Sequence, residues 1–502
     1  MIPYGRQTLD ERDKKAVLEV LKTDYLTTGP KVNEFEKKVC DYVGSTYGVA
    51  VNSGTAALHC AMEAIGIEEG DEVIVPSISF VASANCILFQ KGKPVFCDVN
   101  EKDCNIDNTL IESLITSKTK AILVVDMCGN PCEYDKIREI CNERKLVLIQ
   151  DAAHSLGADY NGKKVGSYAD ITCFSFHPVK NITTCEGGML VTNNEIYYKK
   201  AMSFRSHGIS RDFKAREKAK SHEYDMTEIG YNYRIPDLLC ALGISQMDKL
   251  DNFIKKRREI AKMYDDAFKD YSYMMHPLEK KNSAHHIYSL VFYGENMNTT
   301  RDAIFKELKE ANIGVNVHYK PIYRHSYYEK LGYKQGLCPI SEQLYERLIT
   351  IPIFPTLKKE EINYISNKII EICIKNMENK IKNWKQKIEL ISLHFVNNKV
   401  LKENMFLKDF EVHKFDFSKK YFGIVVPLYN NYEITKIFLQ CLQLKVNFND
   451  ILFCFIDDGS DHDIFNLFSS IKLDVSYILF KCHKQKNIYD TKDKKIGGSY
   501  FP

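Results

Sequence analysis

Short apolar runs alternate with helix-like segments through the first third of the chain. The runs are YGVAV at 47–51, EVIVP at 72–76, PVFCD at 94–98, KAILVVD at 120–126 and LVLIQ at 146–150. This alternation predicts βα units that build a mostly parallel sheet between layers of helices. Because ligands bind beyond the carboxyl ends of such strands, the residues that follow each run are the first candidates for chemistry.

Helical periodicity predicts several segments around this sheet. Val32, Phe35 and Val39 fall on one helical face, and Thr8 with Glu11 has the spacing of a capping box. A charged helix pattern covers about 246–270. The pattern then changes to a smaller α+β unit, with a strand at 286–293 and a helix at 301–312.

The composition changes again toward the C-terminus. Residues 376–420 are rich in Lys, Asn and Glu, which predicts a partly helical connector, and a new α/β pattern begins with YFGIVVPLYN. We therefore expect a large domain at 1–250, a small domain at 251–375, a connector at 376–420 and a last segment at 421–502.

Charge and hydropathy exclude several classes of protein. The 502 residues carry a net charge of +3, with 44% hydrophobic and 27% charged residues, which is typical of a soluble globular protein. We expect no nucleic-acid binding, because no basic stripe is present. No apolar run approaches the roughly 18 residues of a membrane span, and the polar N-terminus lacks a signal peptide. A cytoplasmic location is the resulting prediction.

The cysteines indicate a reducing compartment and no metal. Sixteen are scattered mostly through apolar segments, as expected for reduced, buried thiols. Cys128 and Cys132 have the spacing of half a zinc site, but they lack a second Cys or His pair.

Two motifs follow predicted strands directly. In NSGTAAL a strand runs into Ser53-Gly54-Thr55 and a helix begins, so free backbone N–H groups could hold a phosphate. In QDAAHSLGA, Asp151 is placed to keep a cationic ring nitrogen protonated, and His154 lies three residues on. Ordinary roles remain open for both motifs: a βα turn, a helix N-cap and a packed histidine.

A third motif, FSFHPVKNITTCEGGML, places Lys180 in a tight turn between two apolar strands. Desolvation there would lower the pKa of the lysine and make its amine a nucleophile for a carbonyl, whereas an ordinary surface lysine is the alternative. Ser175 could bind a phosphate. A fourth motif, EIGYNYR, places Asn232 and Arg234 ahead of an apolar helix, as a binding arm or as a simple helix entry.

In combination, SGTAAL, DAAHSLGA, SFHPVK, EGGM and YNYR resemble the DegT/StrS-type family of sugar aminotransferases over about residues 1–375. The stretches TGPKVNEFE, FRSHGI and GVNVHYKPIY are most similar to members of the pseudaminic-acid pathway. The resemblance implies a fold-type-I pyridoxal-phosphate (PLP) transferase, with a mostly parallel seven-stranded sheet between helices and a small α+β domain.

The resemblance also implies roles for individual residues. Lys180 would form a Schiff base with PLP, Asp151 would pair with the pyridinium nitrogen and His154 would contact the 3-hydroxyl. The remaining implied contacts are Phe80 stacked on the ring, Thr55, Ala56 and Ser175 on the phosphate, Asn232 reaching the phosphate from a neighbouring subunit, Arg234 on the substrate diphosphate, and His318 and Tyr319 in the sugar pocket. The implied assembly is a homodimer with shared active sites.

The implied reaction moves the amino group of L-glutamate to a UDP-4-keto-6-deoxy-N-acetylhexosamine and gives a UDP-4-amino sugar. Lys180 would carry the proton between the donor carbon and the cofactor. Three departures from the family pattern bear on efficiency and on the sugar: Cys185 replaces a glycine, Gln150 replaces a common Glu, and DMCGNPC replaces a version that contains histidine.

The last segment resembles the start of a family-2 glycosyltransferase of the GT-A type. IVVPLYNN and FIDDGSD carry the likeness, with Asp457 or Asp458 at a strand end. Asp461 and Asp463 come too early to be the metal-binding DxD of that family, so we expect no glycosyl transfer from this chain alone.

Four alternatives to the leading hypothesis stay open. They are a different sugar specificity (for example the bacillosamine-type sugar), a PLP-dependent sugar dehydratase, a non-catalytic PLP- or sugar-binding regulator, and a bifunctional aminotransferase–glycosyltransferase. Lys180 argues against the dehydratase, in which histidine replaces the lysine, and the presence of both Lys180 and Asp151 argues against the regulator.

Overall fold

The computed structural model describes residues 1–209, 222–297 and 299–396, and three strands within 422–481. The chain divides into two compact units, Met1–Cys373 and Ile374–Pro502. The strands of the first unit are β1 (Tyr47–Val51), β2 (Glu72–Pro76), β3 (Lys93–Cys97), β4 (Thr119–Val125), β5 (Val147–Asp151), β6 (Asp159–Tyr160), β7 (Lys163–Lys164), β8 (Ile171–Ser175), β9 (Gly188–Thr192), β10 (Met275–Pro277), β11 (Tyr288–Phe292) and β12 (Leu348–Ile351).

Helices precede, separate and follow these strands. They are α1 (Glu11–Val20), α2 (Pro30–Val43), α3 (Gly54–Ile65), α4 (Ala82–Phe89), α5 (Asn108–Leu114), α6 (Tyr134–Arg144), α7 (Glu195–Arg205), α8 (Asp237–Met247), α9 (Leu250–Phe268), α10 (Gly294–Met297), α11 (Arg301–Glu310), α12 (Ser326–Lys330), α13 (Pro339–Arg347) and α14 (Lys359–Val396).

Seven strands form one sheet in the order β1-β9-β8-β5-β4-β2-β3. Only β9 runs antiparallel to its neighbours, and the other pairs are parallel. Successive side chains point to opposite faces, so Ile122 and Leu148 enter one hydrophobic core while Leu123 and Ile149 enter the other. Because both faces of the sheet are buried, the strand sequences are continuously apolar. The predicted mostly parallel seven-stranded sheet is confirmed.

Most predicted strands match to within one residue, whereas the charged helix predicted at 246–270 is interrupted. α8 ends at Met247 and α9 begins at Leu250. The break lets Lys249 turn inward, where it is 7% exposed and forms an ion pair with the buried carboxylate of Asp13. A contact between residues so distant in sequence leaves no periodic signal.

The predicted capping box of Thr8 and Glu11 is wrong. The N-cap of α1 is Asp10, whose side chain accepts hydrogen bonds from the backbone N–H groups of Arg12 and Asp13. Asp13 completes the box by accepting from the N–H of Asp10 at 2.9 Å. Because aspartate is as favourable as threonine at an N-cap, the spacing of capping residues alone could not show that the helix begins after Asp10 and not after Thr8.

A smaller antiparallel sheet of β10, β11 and β12 packs with α11, close to the predicted strand at 286–293 and helix at 301–312. The N-terminus joins this part of the unit. The N–H of Ile2 donates to Asn312 O at 2.9 Å, and the N–H of Ile353 donates to Tyr4 O at 3.2 Å. The predicted division at 250 stays a prediction.

The second unit contains β13 (Phe422–Pro427), β14 (Ile451–Asp457) and β15 (Tyr477–Lys481). β14 lies between the other two and pairs with both in parallel. Asp457 is the last residue of β14, whereas Asp458, Asp461 and Asp463 lie outside the described residues. Helix α14 extends to Val396, so the first part of the predicted connector is helical.

Three features are absent from the described part of the chain: a membrane-spanning helix, a metal-binding cluster and a disulfide bond. No helix there combines the length and apolarity that a membrane crossing requires. No group of three or more His, Cys, Asp or Glu side chains could hold a metal ion there. The cysteines described are all free, and every one except Cys185 is buried.

Gly188 provides a test of the packing between β9 and the start of α3. A Cβ at this position would lie 2.3 Å from the Ser53 carbonyl oxygen, which is backbone and cannot move aside. We expect Gly188→Ala to cost about 1–3 kcal/mol through overpacking and to lower the midpoint of thermal unfolding. Gly5→Ala is the control, because its Cβ would meet Val179 at an ordinary 3.5 Å. Equal midpoints for the two variants would contradict this packing.

Candidate active site

A cavity of about 720 Å³ opens at the carboxyl ends of the parallel strands. Its volume lies within the roughly 300–1,000 Å³ range of small-molecule sites. The predicted site residues that line it are Thr55, Phe80, Asp151, His154, Ser175, Lys180, His318 and Tyr319. The structure therefore brings together motifs that are separated by up to half of the chain. A shallower depression of about 420 Å³ between Lys164 and Lys262 lies apart from these strand ends.

Three predicted site residues do not line this cavity. Ala56 is buried, and its N–H donates to Ser53 Oγ at 3.1 Å, so that donor is already used. Asn232 is exposed, and its carbonyl accepts a long hydrogen bond of 3.4 Å from Asn52 Nδ2. Arg234 forms a backbone bridge with Val51. Their predicted roles in cofactor and substrate binding stay predictions.

The first turn of α3 forms one wall of the cavity. Ser53 is the N-cap, and the first N–H groups of any helix lack partners inside it and favour an anion. A Cβ on Gly54 would lie 2.8 Å from Ser175 Cβ, so glycine allows α3 to approach the end of β8 closely. Thr55 and Ser175 add hydroxyls to the same wall, which suits a phosphate group.

Asp151 ends β5 and is 5% exposed. Its Oδ2 accepts from Ser83 Oγ at 2.7 Å, and its Oδ1 accepts from the N–H of Ala153 at 3.1 Å. Burial raises the pKa of Asp151, while these hydrogen bonds and the charge of Lys180 act against the rise. These hydrogen bonds fix the orientation of the carboxyl group. Because the group is buried, a positive charge next to it would strongly favour its ionised form.

Lys180 lies in the loop between β8 and β9. The loop is closed at its base because the N–H of Phe176 donates to Gly187 O at 2.8 Å and the N–H of Thr184 donates to Phe176 O at 3.0 Å. Burial lowers the pKa of Lys180 from 10.5 to about 8, and the charge of Asp151 opposes that shift. A lysine with this pKa supplies neutral, nucleophilic amine near neutral pH.

His154 is 5% exposed and lies beside two aromatic rings. Its ring centroid is 4.4 Å from that of His286, and its Nε2 is 3.3 Å from Tyr319 Oη. Burial, with the charge of Lys180, lowers the pKa of His154 well below its ordinary value, so the ring is neutral. Among the described residues, Nδ1 of His154 has no hydrogen-bond partner. A buried polar atom of this kind is suited to a ligand contact.

His318 belongs to a chain of hydrogen bonds behind the cavity. Its Nδ1 is 2.8 Å from Thr350 Oγ1, which is 2.9 Å from Ser289 Oγ. Burial lowers the pKa of His318 to about 3, so this ring is also neutral. The chain of hydroxyls fixes the orientation of the imidazole.

Several of these contributors were not predicted from the sequence. Ser83 holds Asp151, His286 packs on His154, and Thr350 orients His318. Lys320 and His325 also line the cavity. The motif SFVASAN contains Ser83, but a serine on an apolar helix gives no local indication that its partner lies 68 residues away.

The three departures from the family pattern have structural counterparts. Cys185 has φ 67°, in the left-handed region that favours glycine, at a cost of about 1–2 kcal/mol. Cys128 is buried with φ 60°. Gln150 donates to Asp126 Oδ2 at 2.7 Å and accepts from Thr172 Oγ1 at 2.9 Å. An amide can do both, so Gln150 supports a buried carboxylate where a glutamate would repel it.

The residues present fit pyridoxal phosphate. The α3 N-terminus with Thr55 and Ser175 suits its phosphate, and the fixed carboxyl of Asp151 suits its ring nitrogen. The unpartnered Nδ1 of His154 provides a polar contact, and Lys180 provides the amine for its aldehyde. Phe80 is 56% exposed beside Tyr319, with ring centroids 6.2 Å apart, and offers an aromatic face.

The sequence is similar to known aminotransferases over about its first three quarters. Residues 7–370 match the model of the DegT/DnrJ/EryC1/StrS aminotransferase family. The chain is 39% identical over 380 residues to the UDP-4-amino-4,6-dideoxy-N-acetyl-beta-L-altrosamine transaminase of Campylobacter jejuni, which covers 75% of this chain and 98% of that protein.

Solved structures are similar over the same part of the chain. Helicobacter pylori PseC, an aminotransferase involved in the biosynthesis of pseudoaminic acid, superposes with a TM-score of 0.70 at 35% identity, covering 75% of this chain and 99% of that one. The sugar aminotransferase Spr1654 of Streptococcus pneumoniae, in its PLP form, gives a TM-score of 0.70 at 32% identity, with coverages of 75% and 99%.

The lowered pKa of Lys180 can be measured on the cofactor-free protein. Competitive acetylation with trace acetic anhydride, followed by mass spectrometry, reports the reactivity of each lysine against pH. We expect half-maximal reactivity of Lys180 near pH 8, because burial disfavours its charged form. In Asp151→Asn the midpoint moves lower still, since the carboxylate that stabilises the ammonium is lost. The exposed Lys330 is the internal reference, and a Lys180 midpoint close to 10.5 would contradict the buried environment.

Proposed function

The chain belongs to the DegT/DnrJ/EryC1/StrS aminotransferase family, and from that premise we propose that its cavity transfers the amino group of L-glutamate to a UDP-4-keto-6-deoxy-N-acetylhexosamine. It is a PLP-dependent sugar aminotransferase, as its family and the PLP-form structure of the similar protein Spr1654 indicate. The observation that carries the proposal is one cavity containing both the Lys180 amine and the Asp151 carboxyl. The acceptor sugar, the amino donor and the residue roles below are our proposals.

Bound PLP supplies an electron sink that stabilises negative charge on the carbon that loses a proton. Asp151 maintains that property by holding a proton on the pyridine nitrogen, and Ser83 with Ala153 keeps its carboxyl in position. His154 remains neutral and offers Nδ1 as a hydrogen-bond partner. Thr55 and Ser175 orient the group through its phosphate.

Lys180 has two tasks in this proposal. Its Nζ would hold the cofactor covalently when no amino donor is bound. A free Nζ at this position would be the base that takes a proton from the donor carbon and holds it for return. A positioned base contributes roughly 10²–10⁴-fold to such a proton transfer. A pKa of about 8 allows the same amine to accept and to return the proton near neutral pH.

The nucleotide sugar is proposed from the relatives and from the polar groups of the outer cavity. The Campylobacter jejuni relative is named for a UDP-linked amino-dideoxy sugar. His318, Asn316 and Tyr319 line the cavity and offer neutral donors and acceptors that suit hydroxyl and amide groups. Pseudaminic-acid or related surface-glycan biosynthesis is the corresponding pathway. A bacillosamine-type sugar is the alternative, since all of these contacts would suit it as well.

A homodimer with shared active sites is part of the proposal. Asn232 lies outside the cavity of its own chain, in a segment that exposes large apolar side chains: Ile229 is 78% exposed and Tyr231 is 44% exposed. Burial of these side chains against a second copy would be favourable and would carry Asn232 to the neighbouring phosphate site.

The segment 421–502 is proposed to be a glycosyltransferase-like addition. Its support is the IVVPLYNN and FIDDGSD likeness, together with a parallel arrangement of β13, β14 and β15. The Campylobacter jejuni transaminase is matched over 98% of its length by three quarters of this chain, so we propose that transamination does not need this segment.

Lys180→Ala tests the central role. Purified wild-type protein with PLP, L-glutamate and a panel of UDP-4-keto-6-deoxy-HexNAc sugars is expected to form an amino sugar, identified by NMR. The variant should lose the visible absorbance of lysine-bound cofactor and at least about 10²-fold in rate, because the proton carrier is gone. Lys330→Ala, at an exposed lysine, should behave as wild type. Transamination at the wild-type rate by the Lys180 variant would eliminate the proposal.

Removal of the C-terminal segment tests whether transamination is independent of it. A chain that ends after Val396 keeps the whole of α14 and is expected to retain kcat and KM within about twofold, since the cavity is built from residues before 326. Steady-state kinetics with the best sugar of the panel provide the measurement. A properly folded truncated protein that binds PLP without turning over would show that the segment takes part in the reaction.

A further inference from the structure

The substrate proposed above carries a diphosphate, and two negative phosphoryl groups need a cationic partner. Resemblance to the family suggested Arg234, which does not line the cavity of its own chain and in the proposed homodimer would come from the neighbouring subunit. Among the residues that the structure describes, the lysines that line it are Lys180 and Lys320. Lys180 interacts with Asp151 and is committed to the cofactor and the proton transfer, so Lys320 is the lysine that this chain itself offers to a second anion.

Lys320 is carried on a segment that is fixed on both sides. Asn316 and Thr350 exchange backbone hydrogen bonds of 3.1 and 2.8 Å. Beyond the lysine, the N–H of Ile322 donates to Ser77 O at 2.8 Å, where β2 ends. Between these anchors the chain crosses the cavity through His318, Tyr319 and Lys320. The backbone of Lys320 is therefore preorganised with respect to the reacting groups.

The ammonium group of Lys320 is available for a ligand. The side chain is half-buried, and within the described residues it forms no ion pair and no hydrogen bond to another side chain. The carboxyl groups on the cavity are those of Asp151, which Ser83 and Ala153 hold, and of the exposed Glu186. A lysine that lines a site without a carboxylate partner is a ready point charge for a phosphate.

His325 lies near Lys320 and lines the same cavity. Burial, together with the charge of Lys320, lowers the pKa of His325. Together they form a basic rim, defined here as Lys320 and His325. The rim is carried by a different segment of the chain from the phosphate wall, which α3 and the end of β8 form.

We propose that this basic rim binds the diphosphate of the nucleotide sugar, with Lys320 as the cationic contact that the chain supplies to its own cavity, and so contributes to specificity for nucleotide-linked sugars. The assignment rests on the proposed function. It predicts that Lys320 acts on the acceptor half of the reaction only, since L-glutamate carries no phosphate. The neutral groups at His318 and Tyr319 then remain free to contact the sugar.

Lys320→Ala in the full-length holoenzyme tests the assignment. Loss of one charge-assisted contact is expected to raise KM for the UDP-keto-sugar about 10–100-fold, with kcat changed much less. The rate of the half-reaction with L-glutamate, followed by the cofactor spectrum, should stay at the wild-type value. Lys320→Arg, which keeps the charge, should recover most of the affinity. Lys330→Ala on the adjacent helix is the matched control and should leave every value unchanged.

Inhibition separates phosphate recognition from other effects. UDP should inhibit the wild-type enzyme competitively against the sugar substrate, and its inhibition constant should rise with KM in Lys320→Ala, whereas weak inhibition by uridine should stay the same. Unchanged KM and unchanged UDP inhibition in Lys320→Ala would overturn the assignment. A raised KM for L-glutamate in its place would also overturn it, by showing that the lysine binds the donor carboxylate. If the wild-type enzyme aminates no nucleotide sugar, the proposed function itself fails, which is a separate outcome.

Discussion

The site depends on one electrostatic arrangement: a lysine amine and an aspartate carboxyl group that line the same cavity at the carboxyl ends of the parallel strands. Burial disfavours the charged form of both groups, lowering the pKa of Lys180 to about 8 and raising that of Asp151. Each charge partly offsets the penalty of the other. The rest of the fold keeps these groups in place, through the closed loop before β9, the hydrogen bond from Ser83 and the close approach of α3 to β8.

The sheet and the motifs that contain Asp151 and Lys180 could be predicted, because each is recognised from residues that are neighbours in the sequence. Strands buried on both faces must be continuously apolar, so β1 and β2 were predicted with their bounds. Asp151, the last residue of β5, and Lys180, in the loop after β8, were both predicted to carry chemistry. Lys180, Asp151 and His154 all lie in the cavity as their positions suggested. Their catalytic roles remain proposals.

Other features could not be predicted, since they depend on contacts between distant segments. Ser83 is remote from Asp151 in sequence, and the inward turn of Lys249 that interrupts a helix depends on Asp13. His286, Thr350 and Lys320 lie at or behind the cavity because of how the smaller sheet packs. The pattern of apolar and polar residues in the sequence does not predict that packing. For Asn232 and Arg234, the motif predicted that they bind the cofactor and the substrate. In the fold of a single chain neither residue lines the cavity, so those roles stay predictions.

The most direct test of the central claim is to find which side chain binds the cofactor. Wild-type protein saturated with PLP is treated with sodium borohydride, which reduces the Schiff base to a stable bond, then digested and mapped by mass spectrometry. The account predicts a single pyridoxyl-modified lysine at Lys180, and no such modification there in protein treated with L-glutamate before reduction. Modification of another lysine, such as Lys320, with Lys180 left free, would contradict it.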